Sequence, residues 1–140
     1  MKLLFIATSV AHFHSGKSGG VNDTIRNLTS KLSMDHSITI LVPQGSIVNL
    51  PATVIECRGS LSPPAQNVSE INYSDDSLVH YYINYISKHA WNYDKIINFS
   101  FDLPLFSLFY KNLYHYVSMS SPSEQFNNQF KLHFNYNPLH

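Results

Sequence analysis

Apolar runs alternate with amphipathic stripes along the 140 residues of this chain. Continuous apolar runs are typical of strands buried on both faces, and they predict strands over residues 2–9, 37–42, 53–57, 95–99 and 114–119. Apolar residues that recur four, seven and eleven positions after Val21 predict a helix from that residue. A second helix is predicted to open at Ser74-Asp75-Asp76, whose side chains suit a helix start, and a short third helix at residues 103–111.

Strands and helices in this order favour an α/β fold, a Rossmann-like parallel sheet with helices on both faces. Crossover connections are expected to be right-handed. A chain of this length suits one domain, so residues 1–140 are predicted to form a single unit. Residues 121–140 begin like a helix and then stop. We therefore expect the domain to be incomplete at its C-terminus.

Composition narrows the classes of protein that the chain can represent. Hydrophobic residues make up 44% of it, which suffices for a core, but charged residues only 13%, about half the usual share. The formal net charge is zero, which argues against an electrostatic nucleic-acid binder. One cysteine excludes an internal disulfide and favours a reducing, cytoplasmic location. No apolar run reaches the roughly 20 residues of a transmembrane segment.

Ligands of open parallel sheets bind beyond the carboxyl ends of the strands, which draws attention to residues 10–20, 100–104 and 118–121. In the first segment, Gly19-Gly20 immediately precedes the predicted helix. Glycines there allow backbone N–H groups to approach a phosphate, and a helix N-terminus favours an anion. A valine at Gly20 is expected to block that approach and to conflict with the required φ. The alternative is that both glycines only turn the chain.

The first loop also contains residues that suit chemistry other than phosphate binding. Residues 11–18, Ala-His-Phe-His-Ser-Gly-Lys-Ser, approximate a P-loop, but Gly19-Gly20 interrupts the helix that should begin at the Lys-Ser pair. His12 and His14 could hold zinc, yet no third ligand is apparent. We therefore predict no metal and no cofactor, and we interpret Cys57 as a buried thiol at a strand end.

Several segments taken together resemble a known family. The chain has Lys-Leu-Leu-Phe-Ile-Ala-Thr-Ser at 2–9, then Gly19-Gly20-Val21, and Asp-His-Ser-Ile-Thr-Ile-Leu-Val-Pro at 35–43. These resemble the start of glycosyltransferase family 4, although Asp35 stands where the family commonly has Gly. Four further segments are similar to a narrower group, the UDP-glucose:tetrahydrobiopterin glucosyltransferase-like proteins: Ser-Gly-Lys-Ser-Gly-Gly-Val at 15–21, Pro-Gln-Gly-Ser at 43–46, Asn-Phe-Ser-Phe-Asp at 98–102 and Ser-Met-Ser-Ser at 118–121.

The resemblance implies a GT-B arrangement, in which two Rossmann-like domains enclose the active site. The N-terminal domain of such enzymes mostly holds the small acceptor, and the C-terminal domain holds the nucleotide sugar, here UDP-glucose-like, through a Glu-x7-Glu motif. This chain has only Glu56, Glu70 and Glu124, and no two are eight positions apart. We therefore expect the acceptor-side half of a retaining glycosyltransferase without its donor-binding domain, weakly active or inactive alone.

Candidate site residues follow from these segments. Asp102 is the candidate catalytic residue, as a base or a group that orients an acceptor hydroxyl, with capping of the next helix as the alternative. Residues predicted to bind substrate or the donor phosphates are Gly16, Gly19, Gly20, Asn98, Ser100, Ser118, Ser120 and Ser121. A C-terminal partner chain or self-association would complete the molecule. Two other functions stay open: a non-catalytic module that binds a small molecule or a partner, and a P-loop-like nucleotide-binding protein.

Overall fold

A parallel five-stranded sheet forms the centre of the computed structural model, which describes residues 1–14, 19–63 and 73–116. The strands are β1 (Lys2–Ile6), β2 (Ser37–Pro43), β3 (Thr53–Cys57), β4 (Lys95–Asn98) and β5 (Leu113–His115). The helices are α1 (Gly19–Leu32), α2 (Leu78–His89) and α3 (Leu103–Phe106), and a short 3-10 turn, Ala90–Asn92, follows α2. The strand order is β3-β2-β1-β4-β5, with every pairing parallel. This is the predicted Rossmann-like α/β fold.

Side chains that alternate along the central strand build a core on each face of the sheet. Leu4 and Ile6 of β1 pack on the side of α2 and α3, whereas Leu3 and Phe5 pack on the side of α1. Successive side chains of a strand point to opposite faces, so an uninterrupted apolar run fits a sheet covered on both sides. The apolar strand sequence thus explains why helices cover both faces.

Several predicted element boundaries are wrong, and the reasons are local. β1 ends at Ile6 instead of residue 9. The Ala7 N–H still reaches the Leu41 carbonyl at 2.9 Å, but the hydroxyl of Ser9 bonds to groups beyond the sheet. Helix α3 stops at Phe106, five residues early, and β5 begins one residue early at Leu113. The predicted strand end at 117–119 and the stretch 121–140 lie outside the described residues.

Helix α2 begins at Leu78, with Ser77 rather than Ser74 as its N-cap. The Ser77 Oγ accepts the His80 N–H at 3.3 Å. The Leu78 N–H bonds to the Ser60 carbonyl, and the Ser60 N–H bonds to the Asp76 carbonyl, each at 2.8 Å. These bonds form a short parallel bridge that keeps the chain extended before Ser77, so the helix starts after it.

Gly59 lies beside that bridge at a position that only glycine fits. Its φ is +119°, in the region that side chains rarely adopt. A Cβ built there would lie 2.7 Å from the backbone nitrogen of Leu78. The close approach of these two backbone segments fixes where α2 enters the fold.

Candidate functional site

Buried polar side chains gather at the carboxyl ends of β1 and β4, on either side of the point where the strand order reverses. Ser9 follows β1, and the segment from Asn98 to Asp102 ends β4 and leads into α3. All of these polar side chains are buried. In open α/β sheets this crevice is where ligands bind.

Asp102 lies at the centre of this group of polar side chains. Its carboxylate is only 3% exposed, and Oδ2 accepts the hydroxyls of Ser9 and, at 2.5 Å, Ser100. Oδ1 accepts the Tyr73 hydroxyl at 2.8 Å. The Ser62 Oγ lies 2.9 Å from the Ser9 Oγ. Because a hydroxyl carries one proton and Ser9 gives its own to Asp102, Ser62 is the donor in that last bond.

Three hydroxyl donors on one carboxyl group fit an ionised carboxylate, which is acceptor-only. Hydroxyl dipoles, and not a cation, solvate the charge of Asp102. Across the described residues the one ion pair joins Arg26 and Asp23 on α1. Burial and the neighbouring Asp102 charge raise the pKa of Tyr73 well above its usual value, since an anionic phenolate would lose its hydrogen bond there. Tyr73 therefore stays a proton donor.

The Asn98 side chain fixes the backbone of the segment after β4 and determines the protonation state of His115. Its Oδ1 accepts the Ser100 N–H and its Nδ2 donates to the Ser100 carbonyl, both at 2.9 Å. That orientation places Nδ2 3.1 Å from Nδ1 of His115, which must accept. The imidazole is then neutral, with its proton on Nε2. Burial lowers the pKa of His115 to about 4, in agreement with a neutral ring.

The structure brings together three of the predicted site residues, Asn98, Ser100 and Asp102. Asp102 occupies the N-cap position of α3, but its side chain makes no capping bond and points into the hydroxyl group instead. The predicted capping alternative is therefore wrong. The catalytic role of Asp102 stays a prediction.

The two loop glycines occupy the first turn of α1, which begins at Gly19 and not at residue 21. Its N-terminus lies at the same edge of the sheet as the buried polar group, because helices run antiparallel to the strands they cover. Gly20 has no positive φ, and a Cβ there would meet nothing within 4 Å. The expected conflict of a valine with φ at this position is wrong, so only the expected blocking of a ligand remains.

Some predicted site residues lie outside the described ranges, and some members of the polar group were not predicted. Gly16, Ser118, Ser120 and Ser121 lie outside the described residues. Sequence reasoning missed four members of the polar group: Ser9, Ser62, Tyr73 and His115. Ser9 and His115 could have been found from their positions at strand ends, but Ser62 and Tyr73 belong to a long connection without any periodic pattern.

Residues 1–14, 19–63 and 73–116 contain no group of three or more His, Cys, Asp or Glu that could hold a metal ion. Among the helices of this part of the chain, none combines the length and the apolar character that crossing a bilayer requires.

Comparison with known proteins adds no identification. No protein-family model matches this chain, and no curated protein sequence matches it significantly. The fold class therefore rests on the structure.

Proposed function

We propose that this chain is the acceptor-binding N-terminal half of a retaining glycosyltransferase that uses a nucleotide sugar. The observation that carries the proposal is the gathering of Asn98, Ser100 and Asp102 beside Ser9 at the carboxyl edge, where the strand order reverses. A GT-B enzyme would place its acceptor at this edge. The family 4 resemblance covers the same segments.

Each part of the edge has a role in this proposal. The N–H groups at Gly19 and Gly20, at the N-terminus of α1, would face the phosphates of a UDP-glucose-like donor. Asn98 fixes the backbone of Ser100, so the polar groups beside Ser100 are preorganised to bind an acceptor hydroxyl. Asp102 would act by holding Ser9 and Ser100 in place, since its buried carboxylate is already occupied by three hydroxyls.

Glycosyl transfer also needs stabilisation of the leaving diphosphate, which a second domain or a partner chain would supply. We therefore propose little turnover by this chain alone and recovery on addition of a donor-binding half. A cytoplasmic location belongs to the same proposal, and the single, buried Cys57 supports it.

Titration with UDP-glucose, followed by amide NMR shifts, tests the proposal. Shifts centred on Gly19, Gly20 and the residues after β4 are expected, and Gly20→Val should abolish those at the first turn of α1. Asn27→Ala, an exposed change on the same helix, should leave them intact. Identical shifts in the Gly20→Val protein would remove this turn from the site, and no shifts at either place would refute the proposal.

A non-catalytic binding module is the second candidate, and the saturation of Asp102 favours it. A carboxylate that accepts three hydroxyls and is 3% exposed is poorly placed to take a proton from a ligand. Release of UDP from UDP-glucose, measured after addition of a donor-binding half, distinguishes the two functions. Release above the solvent background that Asp102→Asn lowers supports the enzyme, whereas ligand binding without release supports the module.

A further inference from the structure

Large apolar side chains stand exposed along the amino edge of the sheet, opposite the candidate site. Met34, Met1, Trp91 and Phe109 are 89%, 54%, 81% and 72% exposed. Each lies just before a strand, and those strands are β2, β1, β4 and β5, which are consecutive in the sheet. We call these four side chains the amino-edge row.

Hydrogen bonds hold the segments of the row side by side. The amino group of Met1 lies 3.0 Å from Nδ1 of His36 in the loop of Met34. The Lys2 N–H bonds to the Asp94 carboxylate at 2.6 Å, and the Asn112 side chain donates to the carbonyls of Ala90 and Tyr93. Three strand spacings separate the ends of the row, about 14 Å.

Positive charge surrounds the row although the chain as a whole is neutral. Every lysine in the described ranges lies in the last turn of a helix, at the start of a strand or, for Lys111, two residues before a strand, and all are exposed: Lys2, Lys31, Lys88, Lys95 and Lys111. Only two acidic residues of the same ranges, Asp35 and Asp94, share this edge, and Asp94 is bonded to the backbone of Lys2. The other acidic residues lie towards the opposite edge.

We propose that the amino-edge row docks the protein onto an anionic lipid surface. Side chains that project singly from separate loops suit insertion between lipid headgroups, whereas a folded partner would have to offer a separate pocket to each. Aromatic side chains favour the membrane interface, and lysines let their stems lie along apolar surface while their amino groups meet anionic headgroups. This surface faces away from the candidate site, and the inference does not depend on the proposed function.

Trp91 is the single tryptophan of the chain, so its fluorescence reports on the row directly. The full chain is mixed with vesicles of phosphatidylcholine alone or with an equal part of phosphatidylglycerol. A blue shift of emission and co-sedimentation are expected only with the anionic vesicles, and both should weaken as salt rises. No shift, or an equal shift with neutral vesicles, would overturn the inference.

Variants separate the row from the rest of the surface. Phe109→Ser and the pair Lys88→Gln with Lys111→Gln should weaken vesicle binding, the latter by roughly fivefold for each lysine. Ile47→Ser removes a comparably exposed apolar side chain, 58% exposed, near the opposite edge and should change nothing. Circular dichroism confirms that each variant folds, so loss of binding in a folded Ile47→Ser protein would contradict the assignment.

Two further outcomes point to a different partner and would also overturn it. A blue shift that grows with protein concentration in the absence of vesicles would assign the row to a second copy of the chain. Binding of a single-stranded oligonucleotide that competes with the vesicles at equal strength would assign the lysines to nucleic acid.

Discussion

Asp102 is a buried anion that is solvated by three neutral hydroxyl groups, two of which come from distant parts of the chain. Ser9, Ser100 and Tyr73 each direct one proton to it, and Ser62 supports Ser9. Hydrogen bonds to a charged group are stronger than neutral ones, but an unpaired buried donor costs its full desolvation. The carboxylate therefore ties β1, β4 and the connection before α2 together at one point.

Replacing Asp102 by Ala should lower the free energy of unfolding by about 3 kcal/mol, because the buried hydroxyls of Ser9 and Ser100 and the half-buried hydroxyl of Tyr73 lose their acceptor. Asp102→Asn should cost less, since the amide keeps one acceptor oxygen and the hydroxyls can rotate. Urea denaturation measures both. Asp75→Ala, at an exposed carboxylate, serves as the control and should stay within about 0.5 kcal/mol. Equal effects of the Ala changes at 102 and 75 would show that the hydroxyl group contributes no stability.

Gly59 and Gly20 should respond in opposite directions to the same substitution. Gly59→Ala places a Cβ against the backbone of Leu78 at a φ of +119°, so we expect a loss of about 2 kcal/mol or more. Gly20→Ala fills open space in a helix and should gain about 0.5–1 kcal/mol. Thermal denaturation followed by circular dichroism gives both values. A neutral Gly59→Ala would mean that the bridge to Ser77 can open without cost.

His115 should make the protein less stable in acid. Its pKa is about 4 in the folded protein and near 6.5 when unfolded, so between these values the unfolded state binds more protons. Lowering the pH through that window therefore favours unfolding, by up to about 3 kcal/mol at pH 4. Urea denaturation at several pH values measures the slope. His115→Gln should reduce the slope over this window, and an unchanged slope would assign the acid lability to other groups.

At the level of elements, apolar patterning located all five strands but only some of their ends. β3 runs from Thr53 to Cys57 as predicted, since its apolar run is bounded by turn residues on both sides. The sequence predicts too early a start for α2, because the side chains of Ser74, Asp75 and Asp76 all suit a helix start. The bridge from Ser60 to Ser77 determines where the helix starts. It joins segments that are 17 positions apart and share no local sequence pattern.

Ser77 and Ser74 provide a direct test of that helix start. Ser77→Ala removes the hydroxyl that accepts the His80 N–H and should cost about 1 kcal/mol. Ser74→Ala removes an exposed side chain from the predicted cap position and should cost almost nothing. Chemical denaturation of the two variants measures the difference. A larger loss at 74 than at 77 would contradict the observed cap.

The candidate site shows the same division between local and distant information. Asn98, Ser100 and Asp102 were predictable because they lie at or just beyond the end of one strand, at the edge where ligands of such sheets bind. Their partners Ser9, Ser62, Tyr73 and His115 come from four other segments, and only the folded chain brings them together. Sequence reasoning therefore found one segment of the candidate site and missed the residues that hold that segment in place.

For the whole molecule, low charge and an open sheet edge predict self-association near pH 7. Copies of a chain with zero net charge repel one another least. In addition, β5 has no outer neighbour among the described strands. Lowering the pH from 7.5 to 5.5 adds positive charge as histidines take up protons, although buried His115 does not contribute. Association should therefore weaken at the lower pH.

Light scattering across that range, with circular dichroism to confirm the fold, measures the association. Pairing at the sheet edge should leave the emission of Trp91 unchanged, which distinguishes it from contact through the amino-edge row. A clean monomer at high concentration and pH 7 would argue against half an enzyme and favour a self-sufficient binding module.

The central position of β1 also shapes how the chain folds during synthesis. This first strand lies between β2 and β4, and the bond from the Lys2 N–H to Asp94 spans 92 positions in sequence. At about 5–20 residues per second, roughly 5–20 s pass on the ribosome before β4 can follow β1. Throughout that interval an apolar strand keeps one edge bare, and pairings between such distant segments form slowly. Chaperone capture of the nascent chain should therefore peak before residue 98 emerges.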